Sequence, residues 1–263
     1  MSEDKVVLPM EKRKVLTKVP KTLLIYSLPK VGKTTIVSQL ENSLLLECEL
    51  GGADFVEGQI LDIRGPKQLE ETFSAIREAN YPYKYLIIDT LTKLDEWAEM
   101  VGTYNYMNRA QGKRFNREDN ISDGKMIPYA DKRFTSVHEL PNGNGYQYSR
   151  IQMLQWYDAI LRLAPHIIFL AHVKDKFIES AKTREVVESI EISLTGKLKS
   201  IIASRVDAVG YLFRKDEQGI LNFNNESNII CGGRCFHLSD EIVISERQSD
   251  KSVITYWDRI YNV

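Results

Sequence analysis

The chain has 263 residues, 43% hydrophobic and 27% charged, which suits a globular protein with a substantial core and excludes wholesale disorder. Its 35 basic and 36 acidic residues leave a formal charge of −1, so nucleic-acid binding would need a local basic surface, not a whole-chain field. Three cysteines suit a reducing compartment, and no apolar run reaches signal-peptide or membrane-span length; the expectation is a soluble cytoplasmic protein without a membrane partner.

Residues 1–20 form a charged arm ending at Pro20 and are expected to be peripheral. Residues 21–263 are expected to form a single domain with a long insertion at about 101–150. "TLLIY", Thr22 to Tyr26, is a short continuous apolar run, the mark of a strand covered on both faces. "KTTIVSQLEN" has helical spacing, "SLLLECE" (Ser43 to Glu49) predicts a second strand, and "GPKQLEETFSAIREAN" a helix with Pro66 near its start. "YKYLIIDT" (Tyr83 to Thr90) and "HIIFLAH" (His166 to His172) predict a third and a fourth buried strand. Strands alternating with helices predict βαβ units, hence an α/β fold with a mainly parallel sheet. Towards the end, "RVDAVGYLFRKDEQGILNFNN" reads as strand, turn, strand, with "DEQG" as the turn, an antiparallel extension.

Between Val101 and Arg150 the chain is polar and glycine-containing, with eight basic residues against five acidic ones and seven interleaved tyrosines and phenylalanines. A long loop of this kind is usually functional or disordered. The mixture is that of a sequence-tolerant single-strand binder, although tyrosine-rich loops also pack onto their own domain.

"SLPKVGKTT", Ser27 to Thr35, ends like a phosphate-binding loop and stands between a buried strand and a helix, the context this motif requires. Consecutive backbone N–H groups of such a loop cradle phosphates, the lysine reaches the β- and γ-phosphates, and the next hydroxyl holds Mg²⁺. Ser27, Pro29, Lys30, Val31, Gly32, Lys33, Thr34 and Thr35 are therefore the ATP-binding candidates, with Lys33 also catalytic and Thr34 a Mg²⁺ ligand. Ser27 stands where the loop normally opens with glycine, a small replacement expected to cost some backbone strain. Asp89, after four apolar positions in "YLIID", supplies the carboxylate that binds the metal largely through water. Thr90 either helps hold that water or starts the next turn, and Glu96 reads as solvated helix surface.

The residue that activates water comes from "LLLECELGGAD". Glu47 and Glu49 share one side of a strand by the period-two rule, and Glu49, nearer the tip and followed by Gly51-Gly52, is favoured over Glu47. His172 ends the fourth strand, where it contacts the γ-phosphate or simply caps the strand. "CGGRCFH" groups Cys231, Cys235 and His237, but the spacing matches no common zinc site and reads as a turn.

Together, "SLPKVGKTT", "LECELGGAD", "YLIIDT" and "IIFLAHVKDK" followed by "GKLKSIIASRVDAVGYL" resemble the RecA-core ATPases over roughly residues 20–215. The resemblance is strongest to compact phage-encoded P-loop proteins of single-strand annealing and recombination, AAA-type ATP-binding domain proteins. It implies a RecA-like P-loop core hydrolysing ATP with Mg²⁺, Glu49 as catalytic carboxylate and His172 as the polar sensor. It also implies DNA-facing loops after Asp89 and from Val173 to about Thr195, and a homo-oligomer in which Lys197, Lys199 or Arg205 reaches the next subunit's nucleotide. Arg234 is a weaker candidate for that contact. The function this implies is ATP hydrolysis coupled to single-stranded DNA in recombination, annealing or replication. A P-loop kinase with the 101–150 segment as substrate lid, and an ATP-binding switch with little turnover, are the alternatives. Two features depart from the family pattern: Ser27, and the absence of a recognisable RecA-type N-terminal polymerisation segment.

Overall fold

The structure is a computed structural model that describes residues 8, 10–113, 121–122, 125–126, 136–179, 186–224 and 229–262. The order is β1 (Thr22–Ser27), α1 (Lys33–Ser38), β2 (Ser43–Glu47), β3 (Ile60–Asp62), α2 (Pro66–Glu78), β4 (Tyr85–Asp89) and α3 (Leu91–Met107). A short α4 (Ala110–Lys113) and the strands β5 (Ile121–Ser122) and β6 (Lys125–Met126) precede α5 (Tyr146–Ile160). The long β7 (His166–Glu179) pairs with β8 (Val186–Ile192), and α6 (Leu198–Arg205) leads to β9 (Ala208–Lys215) and β10 (Gln218–Asn222). The chain closes with β11 (Gly232–Gly233), β12 (Glu241–Arg247), β13 (Val253–Thr255) and α7 (Asp258–Tyr261).

The main sheet runs β13-β12-β10-β9-β1-β7-β4-β2-β3. Strands β9, β1, β7, β4, β2 and β3 are parallel, and β10, β12 and β13 continue the sheet antiparallel. The fold is thus α/β, with a mostly parallel sheet flanked by helices and antiparallel strands towards the C-terminus. Because side chains alternate across a strand, each central strand feeds two cores. Leu24, Tyr26, Leu46, Ile88 and Phe169 pack on one face with Leu69, Phe73, Trp97 and Trp156 from α2, α3 and α5. Leu23, Ile25, Leu45, Ile87 and Ile168 pack on the other with Ile36 and Val37 of α1 and with Trp257 and Ile260. Every residue of β1, β2 and β4 is buried, and each large apolar side chain so covered contributes ~1.5–3 kcal/mol. The strand tips that carry the functional groups are therefore held firmly.

Several sequence expectations need correction. The second strand stops at Glu47, not Glu49; the Cys48 N–H still donates to the Asp89 carbonyl at 2.6 Å, and the chain bends away at Glu49. A short, partly exposed strand, β3, intervenes, so "YLIID" is the fourth strand in chain order. The strand from His166 does not end at His172 but continues as one arm of the β7–β8 hairpin. Much of the 101–150 segment at both ends is helical, α3 running to Met107 and α5 starting at Tyr146. Its basic and aromatic candidates at 114–120 and 127–135 lie outside the described residues, as does part of the expected DNA-facing loop at 180–185.

A candidate nucleotide site at the strand tips

Register decides what meets at the carboxyl edge of the sheet. Ser27 of β1 lies beside His172 of β7, Asp89 of β4 beside Leu170, and Glu47 of β2 beside Asp89. Side chains leaving these tips share one crevice, the usual place for a ligand in an open α/β sheet. A cavity of about 380 Å³ opens there, lined by Pro29, Lys30, Gly32, Lys33, Thr34, Thr35, Glu49, Gly52, Asp89 and His172.

The loop between β1 and α1 turns through two left-handed residues, Lys30 at φ 64° and Gly32 at φ 107°. Only glycine adopts the second freely, so Gly32 is where the motif's glycine is needed. Ser27 is not a left-handed residue, so the strain expected of it does not arise there. Ser27 instead lies fully buried in β1; its hydroxyl donates to the Leu28 carbonyl at 2.7 Å and accepts from Lys33 Nζ at 2.9 Å. Lys33 is 7% exposed, and burial pushes its ammonium below the usual lysine range, opposed by the nearby Asp89 and Glu49 charges. Val31 does not line the cavity; its carbonyl accepts from Arg214 Nε of β9 at 3.1 Å.

Thr34 Oγ1 donates to Asp89 Oδ2 at 2.7 Å. Burial raises the Asp89 carboxyl above its ordinary value, against the pull of this hydrogen bond and of Lys33. Thr34 and Asp89 together present hard oxygen atoms beside the lysine, a donor set suited to Mg²⁺, which keeps several waters and takes few protein ligands. Among the described residues no cluster of three or more histidine, cysteine or acidic side chains is arranged to hold a metal.

The two glutamates of "LECEL" occupy different surroundings. Glu47 is 3% exposed, and its Oε1 accepts from the Ala53 backbone N–H at 2.7 Å, tying down the turn after β2. Glu49 faces the cavity and accepts from Thr90 Oγ1 at 2.6 Å and from His172 Nε2 at 2.9 and 3.0 Å. A carboxylate only accepts, so Nε2 carries the proton; His172 Nδ1 is buried without a partner. The His172 hydrogen bond is the main force holding the Glu49 carboxyl below its usual range, against partial burial. Thr90 also accepts from Lys93 N and so caps α3, while the His172 backbone N–H donates to Thr92 Oγ1 at 3.1 Å. The Thr90 and Thr92 bonds to Glu49 and His172 were not expected from the sequence; a threonine at a helix start signals a cap, not its second partner.

Other candidates are engaged elsewhere. Lys199 pairs with Glu191, Arg205 with Asp158 and the Tyr157 ring, and Arg234 with Asp207 and the Ser204 carbonyl. Lys197 is exposed. His237 Nε2 bonds the Ile260 carbonyl, while Cys231 is buried and within 3.9 Å of the Tyr26 hydroxyl.

Residues 19–235, most of the chain, match the AAA domain family. The chain belongs to that family. This AAA-domain protein is accordingly an ATP-binding P-loop ATPase. Among solved structures it is similar to the RadB recombinase, at 10% identity over 90% of this chain and 92% of that one, with a TM-score of 0.43. It is also similar to a KaiC-like protein from Pyrococcus horikoshii OT3, at 10% identity over 93% and 99%, again with a TM-score of 0.43. No curated protein sequence matches it. Among the described residues no helix is long and apolar enough to cross a membrane.

Proposed function

We propose that this AAA-domain protein is a RecA-like ATPase that hydrolyses Mg-ATP at the strand tips and couples ATP occupancy to single-stranded DNA. The setting is recombination, annealing or replication, and the active form a homo-oligomer. In the catalytic step the Lys33 ammonium moves from Ser27 Oγ onto phosphate oxygens, and the loop's backbone N–H groups cradle the rest. The Thr34 hydroxyl and, through water, Asp89 would hold Mg²⁺, which would supply charge neutralisation at the phosphates. Glu49 accepts a proton from water as its oxygen bonds to the γ-phosphorus and the bond to the ADP oxygen breaks. His172, hydrogen-bonded to Glu49, senses the γ-phosphate and turns Glu49 towards the water. Positioning and electrostatics supply the catalysis, and no covalent intermediate forms.

One observation supports the coupling above others. The His172–Glu49 pair sits at the point where β7 leaves the nucleotide crevice and becomes an arm of the β7–β8 hairpin. A strand bound at the hairpin therefore has a direct mechanical line to the catalytic carboxylate.

The test is steady-state ATP hydrolysis with and without single-stranded DNA, on the wild type and on Glu49→Gln. The expected result is DNA-stimulated turnover that falls ~10²–10⁴-fold in the variant, the usual worth of a general base, while ATP still binds. Turnover indifferent to DNA but dependent on a small hydroxyl acceptor would replace this reading with a kinase. Tight ATP binding with no turnover under any condition would replace it with a nucleotide switch.

A further inference from the structure

The peptide unit between Val31 and Gly32 stands at the boundary of the nucleotide crevice: Gly32 lines it and Val31 does not. That peptide is trans, so its C=O and its N–H point in opposite directions. The Val31 carbonyl accepts from Arg214 Nε at 3.1 Å. With the carbonyl held there, the Gly32 N–H is turned towards the crevice. Among the described residues nothing accepts from it, which leaves it for a phosphate oxygen in the cradle that such loops form.

The sheet places Arg214 for this contact. The β1–β9 ladder ends at Tyr26 and Tyr211. Beyond it β1 gives way to the phosphate loop after Ser27, while β9 runs on to Lys215 and keeps its pairing with β10, Arg214 opposite Gly219. Three residues past Tyr211, Arg214 therefore stands beside the loop, and strand alternation puts it on the side of Leu212. Leu212 belongs to the core under α1, against which the Val31 side chain also packs. Val31 is thus held at two points, its side chain on that core and its carbonyl on the arginine. A Cβ at Gly32 would stand 3.8 Å from Arg214 Nη2, so the guanidinium lies against the loop. It is not part of the crevice lining, which favours orientation of the loop over contact with the nucleotide. A hydrogen bond from a cation is a strong one, and a peptide that accepts it becomes a better donor at its N–H.

We propose that Arg214 is a positioning residue for nucleotide binding: its Nε–H fixes the Val31–Gly32 peptide so that the Gly32 N–H faces the phosphates. The inference rests on ATP binding at this loop and on neither the DNA coupling nor the hydrolytic step.

Glutamine carries its amide nitrogen at the same place along the side chain as arginine's Nε, with a donor but no charge; methionine has similar length and no donor. Titration of a fluorescent ADP analogue and of ATP, with Mg²⁺, compares the wild type, Arg214→Met and Arg214→Gln, each checked for folding by thermal melting. Arg214→Met is expected to weaken both nucleotides alike, by about tenfold, the order of one charge-assisted hydrogen bond. Arg214→Gln should recover most of that loss. Labelling with carbonyl-¹³C valine and ¹⁵N glycine isolates the Gly32 amide among three Val–Gly pairs, the others being Val101–Gly102 and Val209–Gly210. Its proton signal should move downfield on ADP binding in the wild type and in Arg214→Gln, and much less in Arg214→Met. Equal weakening in both variants would mean that the charge itself meets the phosphates, and would overturn the positioning role. Unchanged affinity and an unchanged Gly32 shift in Arg214→Met would overturn it as well, even with a lower melting temperature, because the arginine would then be structural only. No nucleotide binding by the wild type would overturn the ATP site itself, and this inference with it.

Discussion

Glu49 carries hydrogen bonds from Thr90 and His172 on the half-buried bend after β2, while Glu47, two residues earlier, is buried under the turn it anchors. The difference has a pH signature. Glu49 titrates below its ordinary 4.5 in the folded protein, so the folded state gives up this proton more readily than the unfolded one. Its contribution to stability is therefore complete above the unfolded value and is lost as pH falls through the lower folded value. Glu49→Gln removes this titration. Urea unfolding at stepped pH should show the wild-type advantage over the variant shrinking towards acid; a pH-independent difference would contradict the assignment. That Lys33, Thr34 and Asp89 meet in one crevice was legible from sequence, because phosphate chemistry demands those residue types at that spacing around a strand and a helix. The roles of Thr90, Thr92 and Arg214 were not, since common residues gain their meaning from partners tens or more positions away.

At the scale of elements, the buried strands announced themselves because both faces are covered and their apolar runs are continuous. The short β3 and the extension of β7 past His172 did not, because neither is a continuous apolar run. The sequence reading put Glu96 on a helix surface but set no bounds for α3, and it took the residues from Val101 onwards as insertion, since Gly102 and the polar aromatic residues after it look like loop. Packing explains the glycine. A Cβ at Gly102 would stand 2.8 Å from Ser149 N and 3.0 Å from Tyr148 C on α5, so the two helices cross at close range. On propensity alone, Gly102→Ala in a helix interior should stabilise by up to ~1 kcal/mol. Against fixed backbone, overpacking costs ~1–3 kcal/mol, and this term is expected to win. Chemical denaturation should therefore show Gly102→Ala to be less stable than the wild type, and a gain would mean that the helices separate without cost.

For the whole molecule, two cores clamp the sheet from either side, and the C-terminal end completes one of them. Trp257, 7% exposed, donates from Nε1 to the Ile36 carbonyl at 2.8 Å and so pins the helix that follows the phosphate loop. Beside β7, α3 is a second element whose residues bond the groups at the nucleotide crevice. Thr90 caps that helix while donating to Glu49, Thr92 accepts from the His172 backbone, and Asp95 one turn further on holds the Thr195 N–H in the turn before α6. Coupling between binding sites is reciprocal, so if the proposed strand binding is linked to ATP, each ligand changes the other's affinity by the same factor. Affinities of a non-hydrolysable ATP analogue with and without oligonucleotide, and of the oligonucleotide with and without analogue, should change by the same factor, ~5–150-fold for the usual coupling energy. Thr92→Val removes the acceptor for the His172 N–H without touching Glu49, Asp95 or the loop, and should shrink that factor while each ligand alone binds as before. Two affinities that ignore each other in the wild type would mean that α3 braces the nucleotide crevice without passing its state on.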